Sequence, residues 1–197
     1  MSNNKDIFDK RSNFFRSYFE KGLDYQSYLN DGSEAHRKKW NSYIERLKLS
    51  DSDAKLLCEF KRKMNILVLS GIWCGDCARQ GPIIKIIEDA CPTMVVRYLD
   101  NRENPELQDE LRVHGGARVP VVVVLSEDFY EVSRFGDRTI SAYKRKVASE
   151  TGPACDAGII PPTDEELTVE VHEWVEHFER NHALLRTSGL LRSRYGD

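Results

Sequence analysis

The stretch GIWCGDCARQGP, Gly71 to Pro82, decides how this chain is read. Two cysteines three residues apart, Cys74 and Cys77, stand between a tryptophan and a proline, shortly after the apolar run Ile66-Leu67-Val68-Leu69. A run of that length and composition fits a strand buried on both faces. After the cysteines, Ile83, Ile84, Ile86, Ile87 and Ala90 lay an apolar stripe along a helix that Pro92 closes. Cys74 falls at the first turn of that helix, where unpaired backbone N–H groups and the helix dipole favour an anion. The thiolate is the nucleophile of disulfide exchange. Cys77, one turn on, faces the same sulfur from a position deeper against the sheet, which suits it to attack a mixed disulfide formed by Cys74. Gly75 removes side-chain bulk at the attacking face.

Outward from this segment, short apolar runs alternate with helical patterns, as strands laid parallel with crossover helices do. Met94 to Leu99 reads as a second strand, Pro105 to Arg112 as a short helix and Val119 to Leu125 as a third strand. Phe129 to Phe135 alternates like a half-buried fourth strand, and Thr139 to Ser149 returns to helix. Upstream, Ser50 to Asp53 offers N-caps for a helix with Leu56, Leu57, Phe60 and Met64 at core spacing. Residues 1–49 read as helices carrying Phe8, Phe14, Phe15, Tyr18, Phe19, Tyr25, Tyr28, Trp40 and Tyr43, an aromatic load expected to pack on the domain that follows. Downstream, Gly152 to Pro162 is a loop by composition. Thr163 and Glu166 make a capping box for a final helix whose stripe is Leu167, Val171, Trp174, Val175, Phe178 and Leu185. The chain thus divides into an N-terminal helical extension (1–49), an α/β domain (50–150), and a loop with a C-terminal helix (151–197).

Composition frames what such a unit can be. With 40% hydrophobic and 31% charged residues, 197 residues suffice for a real core. A net charge of -3, from 29 basic and 32 acidic residues, creates no field that would draw nucleic acid or an anionic membrane. The segment MSNNKDIFDKRSNFF lacks a continuous apolar stretch, and no run approaches a membrane span, so a cytoplasmic protein is expected. Five cysteines do not pair off as a disulfide framework, and in a reducing compartment a close pair points to catalysis or metal before a staple. A zinc site needs a second ligand pair, and Cys58, Cys91, Cys155 and His114 supply no second CxxC or HxxxH. Cys58 and Cys91 lie in apolar helix contexts and are expected as core thiols, Cys155 as an exposed loop thiol. His172, His177 and His182 recur every five residues, which walks around a helix, and are expected on a solvated face.

Trp73-Cys74-Gly75-Asp76-Cys77 resembles the active site of the thioredoxin family. Pro82, five residues after the second cysteine, matches the family's helix-kinking proline. Val119-Pro120 before a buried strand resembles its cis-proline loop, and Phe135-Gly136 the pair at which its last strand passes the substrate groove. The resemblance covers Met64 to Ser149 and the preceding helix, not the extensions. It implies an α/β, thioredoxin-like fold with a central mixed β-sheet, here with N- and C-terminal helical extensions. It also implies a thiol-disulfide oxidoreductase that reduces protein disulfides, with Cys74 as nucleophile and Cys77 as resolving thiol. Trp73, Gly75, Asp76, Val119, Pro120 and Gly136 would then line the substrate groove, the Val119 backbone pairing with an extended substrate segment. No bound cofactor or metal is implied; electrons would come from a reductase or another dithiol.

Two departures from the family pattern bear on mechanism. Asp76 stands where thioredoxins usually have proline, and Val68 where they have a buried aspartate thought to move a proton for the second cysteine. Asp76 offers a carboxylate in its place, or serves only as a first-turn acid. As an anion beside Cys74 it opposes the helix dipole, so the Cys74 pKa is expected to be less depressed than in strongly oxidising relatives. Glutaredoxins normally carry proline after the first cysteine, and oxidase and isomerase relatives histidine within the CxxC and a secretion signal, so a cytosolic reductant fits better. The rival from another class is a thioredoxin-fold binding module whose cysteines are not turned over. The aromatic N-terminal region is expected to cover the groove and narrow the substrate range.

Overall fold

The computed structural model describes residues 8–151 and 161–196. Three helices open the chain: α1 (Ser12–Lys21), α2 (Tyr25–Asn30) and α3 (Glu34–Ile44). Asp24 and Ser33 cap the latter two by accepting from the backbone N–H groups of Ser27 and His36. Ser50 caps α4 (Asp51–Cys58) in the same way, and the chain then enters β1 (Met64–Ser70), all of whose residues are buried. There follow α5 (Gly75–Ala90), β2 (Met94–Asp100), α6 (Pro105–Glu110), β3 (Val121–Leu125), β4 (Glu131–Gly136) and α7 (Ile140–Thr151). A long helix, α8 (Asp164–Thr187), and the short α9 (Gly189–Tyr195) complete the described chain.

The four strands form one mixed sheet in the order β2-β1-β3-β4. Only β1 and β2 run parallel; β3 runs against both β1 and β4, giving the mixed sheet that the family resemblance implies where the apolar pattern by itself suggested parallel strands. A run such as Val121–Leu125 is apolar at every position and carries no signal of direction. The direction matters for function. Because β3 opposes β1, Val121 pairs with Leu69, and the Val119-Pro120 turn arrives beside the segment that leads into the cysteines.

The N-terminal helices share the core of the sheet. Leu23 pairs with Tyr98 through two backbone hydrogen bonds of 2.9 and 2.8 Å, covering the outer edge of β2. Trp40 is completely buried and donates from Nε1 to the carbonyl of Ile72 at 3.0 Å. Its ring lies so close over α5 that a Cβ at position 81 would come within 2.1 Å of it, which is why Gly81 stands there. Phe15, Tyr18, Phe19, Tyr25 and Tyr28 are buried too, while Phe8 stays exposed against Tyr130.

At the other end, Thr163 and Glu166 close their capping box, and the apolar stripe of α8 is buried against the domain. The stripe also carries Glu170 and Asn181 inward, both fully buried. The histidine reading is corrected at two positions. His177 packs against Phe135, Trp174 and Phe178, and burial pushes its pKa down to about 4. His182 stacks on Phe60 at 4.1 Å and accepts the backbone N–H of Lys61, whereas His172 is exposed as expected. Cys58 is likewise corrected: α4 turns Leu57 to the core, and the next residue around the helix faces solvent. Cys91 is buried. Cys155 and most of the loop that carries it lie outside the described residues. Among the described residues no helix is long and apolar enough to cross a membrane.

Candidate active site

The end of β1 and the start of α5 meet at Gly71 to Cys77, and the backbone there does most of the positioning. Cys74 is the N-cap of α5, in extended conformation at φ -78° and ψ 134°. Its thiol is half-buried and reaches the carbonyl of Val119 at 3.8 Å. Cys77, one turn further, is 1% exposed, and its sulfur accepts the backbone N–H of Gly71 at 3.3 Å. Both cysteines are free thiols.

The two sulfurs are driven in opposite directions. A hydrogen bond from the Cys77 side chain holds the Cys74 pKa down to about 6; burial opposes it, and the backbone N–H groups of Cys77 and Asp76 add to it. The negative charge of Asp76 also opposes the thiolate, as expected from the sequence, but ranks behind those influences. Cys77 is pushed well above the ordinary thiol range, first by burial and then by its neighbour Cys74. One thiol is thus ready as an anion and partly accessible, while the other is protonated and enclosed.

Asp76 does not stand as a free carboxylate. Its Oδ1 pairs with Arg79 Nη2 at 2.9 Å and its Oδ2 with Arg138. Arg79 continues to Glu170 on α8 through Nε at 2.8 Å, and Arg145 closes on the other Glu170 oxygen at 2.6 Å. Arg138 and Arg118 both reach the buried Asp137, which also accepts from Tyr143. The residue that departs from the thioredoxin pattern is therefore embedded in an alternating chain of charges. Arg79, Arg138 and Glu170 were not singled out in the sequence; the signal available for Glu170 was its place among Leu167, Val171 and Trp174 on a buried stripe.

The remaining residues expected at the groove gather at the same end of the sheet. The Val119-Pro120 peptide bond is cis, and Val119 is 8% exposed beside Cys74. Gly136 closes β4 opposite Val121, where a Cβ would come 3.0 Å from the Val121 side chain and 3.4 Å from the Pro120 carbonyl. Trp73 is 41% exposed, folds back over Gly71 and carries the Arg102 guanidinium 4.4 Å from its ring centre. Beside Gly75 the nearest atom to a would-be Cβ is Nζ of Lys39, at 3.4 Å, so an N-terminal helix contributes a cation to the rim.

A family model described as Thioredoxin matches residues 22–149, taking in two of the N-terminal helices as well as the sheet. Among solved structures, a protein of unknown function from Pseudomonas aeruginosa superposes with a TM-score of 0.66 at 16% identity, over 84% of this chain and 95% of its own. An HIV epitope-scaffold superposes with a TM-score of 0.57 at 19% identity, over 86% of this chain and 93% of its own. At these identities the likeness is one of fold. Among curated proteins there is no significant sequence match.

Proposed function

The chain belongs to the thioredoxin family, and on that premise we propose that it is a disulfide reductase acting on protein disulfides through Cys74 and Cys77. The observation that carries the reading is the opposed pair of thiols: Cys74, held down to about 6, at the cap of α5 and in reach of the cis-proline loop, and Cys77, held up, one turn below it. In the forward reaction the Cys74 thiolate attacks one sulfur of a substrate disulfide, and the other sulfur leaves as a thiolate. Cys77 then attacks Cys74, closing the active-site disulfide and releasing the second substrate thiol. The backbone of Val119 supplies the edge along which an extended substrate segment lies, and Trp73 the wall beside it. The oxidised pair is returned to the dithiol by a reductase or another dithiol in a reducing, cytoplasmic setting.

The deciding measurement is the equilibrium reduction potential of the Cys74/Cys77 couple, read by trapping free thiols after equilibration in defined dithiol buffers and mapping labelled cysteines by peptide mass. A value near the thioredoxin range of about -270 mV supports a reductase. A value near -120 mV assigns an oxidant instead. If no disulfide forms between the two at any potential, or if turnover survives Cys74→Ser, the reading falls and a binding module takes its place.

A further inference from the structure

Behind the resolving sulfur lie two hydroxyls with no assigned task. Ser70, the last residue of β1, is 1% exposed and Tyr28, in α2, 3% exposed. Neither side-chain oxygen completes a hydrogen bond of good geometry among the described residues. Buried polar atoms without partners are uncommon and call for a reason. Ser70 directly precedes Gly71, whose backbone N–H reaches the Cys77 sulfur at 3.3 Å, and its hydroxyl is near enough to favour the ionised forms of both Cys77 and Tyr28, so the three groups cluster behind the redox turn.

The cluster has an outlet. Tyr28 lines a cavity of about 320 Å³ together with Asp31 and Asp100, and the charge of Asp100 reaches its hydroxyl. Asp100 is also the register partner of Ser70 across β1 and β2. Strand alternation places Ser70 on the same face of β1 as Val68, the position at which the family resemblance expects an aspartate. The polar group has moved two residues toward the cysteines. Asp76 is a poorer choice for the same task, because both of its oxygens are held by arginines.

We propose that Ser70 and Tyr28 form a hydroxyl relay that removes the proton of Cys77 when that thiol attacks the mixed disulfide. The proposal rests on the disulfide-exchange reading above. At that step Cys74 is bonded to substrate and has no thiolate with which to accept a proton. The Cys77 proton passes to Ser70 Oγ as the Ser70 proton passes to the Tyr28 oxygen and the Tyr28 proton to the Asp100 carboxylate. The freed electron pair on Cys77 forms the bond to Cys74 sulfur. The bond from Cys74 to the substrate sulfur breaks, and its electron pair leaves with the substrate as a thiolate. The dithiol supplies both electrons, so no further reductant enters. The titratable groups around the path are Cys74 at the start of the same helix, Tyr28 from α2 and Asp100 from β2, with Lys21, Asp31, Tyr98 and Glu103 lining the cavity at its outer end.

The test isolates this one step. In a Cys58→Ser, Cys155→Ser background, Cys74 is loaded with the chromogenic thiol 5-thio-2-nitrobenzoate, and the dye's release by Cys77 is followed over a pH series. Ser70→Ala is expected to slow release roughly ten-fold or more, the scale of a hydrogen bond to a charged group, and to move its pH midpoint upward. Ser70→Thr restores both, Tyr28→Phe gives an intermediate slowing, and the rate of loading stays within about two-fold in all of them. Release by Ser70→Ala at the native rate and midpoint overturns the relay. So does a Ser70→Thr variant as slow as Ser70→Ala, since packing alone would then explain the loss. A native protein that loads the dye but never releases it removes the exchange reading itself, and the relay with it.

Discussion

Removing the side chain of Cys77 tests the electrostatics of the site most directly. The first influence on Cys74 is a hydrogen bond from the Cys77 thiol, and the Cys74 pKa stands at about 6. At pH 7 that leaves Cys74 roughly nine tenths ionised. A hydrogen bond to a charged group contributes about 1.5–3 kcal/mol, or about one to two pKa units. Cys77→Ala should therefore raise Cys74 to about 7–8 and cut the thiolate at pH 7 to between about one half and one tenth. Cys77→Ser keeps a donor at the same place and should keep most of the depression. The assay is the pH dependence of iodoacetamide alkylation, with Cys74 resolved from Cys58, Cys91 and Cys155 by peptide mass. A Cys77→Ala midpoint indistinguishable from that of the native protein refutes the argument, and assigns the depression to the α5 backbone alone.

Trp40→Ala should lower stability by about 3–5 kcal/mol in urea unfolding, because it empties a completely buried site between α3 and α5; a loss under about 1 kcal/mol would mean that α3 is only laid on the surface. Glu170→Ala should cost about 3–5 kcal/mol in the same assay, since it removes the buried carboxylate shared by Arg79 and Arg145 and leaves Arg79 with Asp76 alone; Glu170→Met with Arg79→Met should recover much of that. His177 should make the fold acid-sensitive. Its folded pKa of about 4 lies below the ordinary 6.5, so the unfolded chain takes up the proton first as pH falls. Its contribution is full above pH 6.5, declines between 6.5 and 4 and amounts to at most about 3 kcal/mol. His177→Phe should flatten that part of the stability profile relative to the native protein, and equal slopes in the two would show His177 to be solvated.

What could be read in advance was whatever the sequence holds locally. Strand, cysteine turn and helix are contiguous between Ile66 and Ala90, and the capping box of α8 needs only Thr163 and Glu166. The parts that were not legible depend on chain segments far apart. Tyr28 and Ser70 meet behind Cys77 although 42 positions separate them in the chain, and neither hydroxyl carries a pattern of its own. The direction of β3 is invisible in five apolar residues. His177 misled because a five-residue spacing was judged by itself. Its neighbours Trp174 and Phe178, at the i-3 and i+1 positions, put it on the flank of the buried stripe.

Asp76 shows how a local departure can be absorbed by distant residues. An isolated carboxylate next to Cys74 would work against the thiolate that the α5 terminus favours. Here the carboxylate lies between two guanidiniums, and Arg79, Asp76 and Glu170 are each held by at least two partners or by a partner from another helix. Glu170 has no exposure at all, so the C-terminal helix can dock only if both Arg79 and Arg145 come with it. Charge alternates along Arg145, Glu170, Arg79, Asp76, Arg138 and Asp137, so that α7, α8, α5 and the turn after β4 are joined in one chain. The helix that lies outside the thioredoxin-like match thus anchors, through two ion pairs, the acidic residue inside the cysteine turn. A proline at position 76 would leave Arg79 and Arg138 without that carboxylate, which gives a physical reason for this chain to hold aspartate where the family pattern has proline.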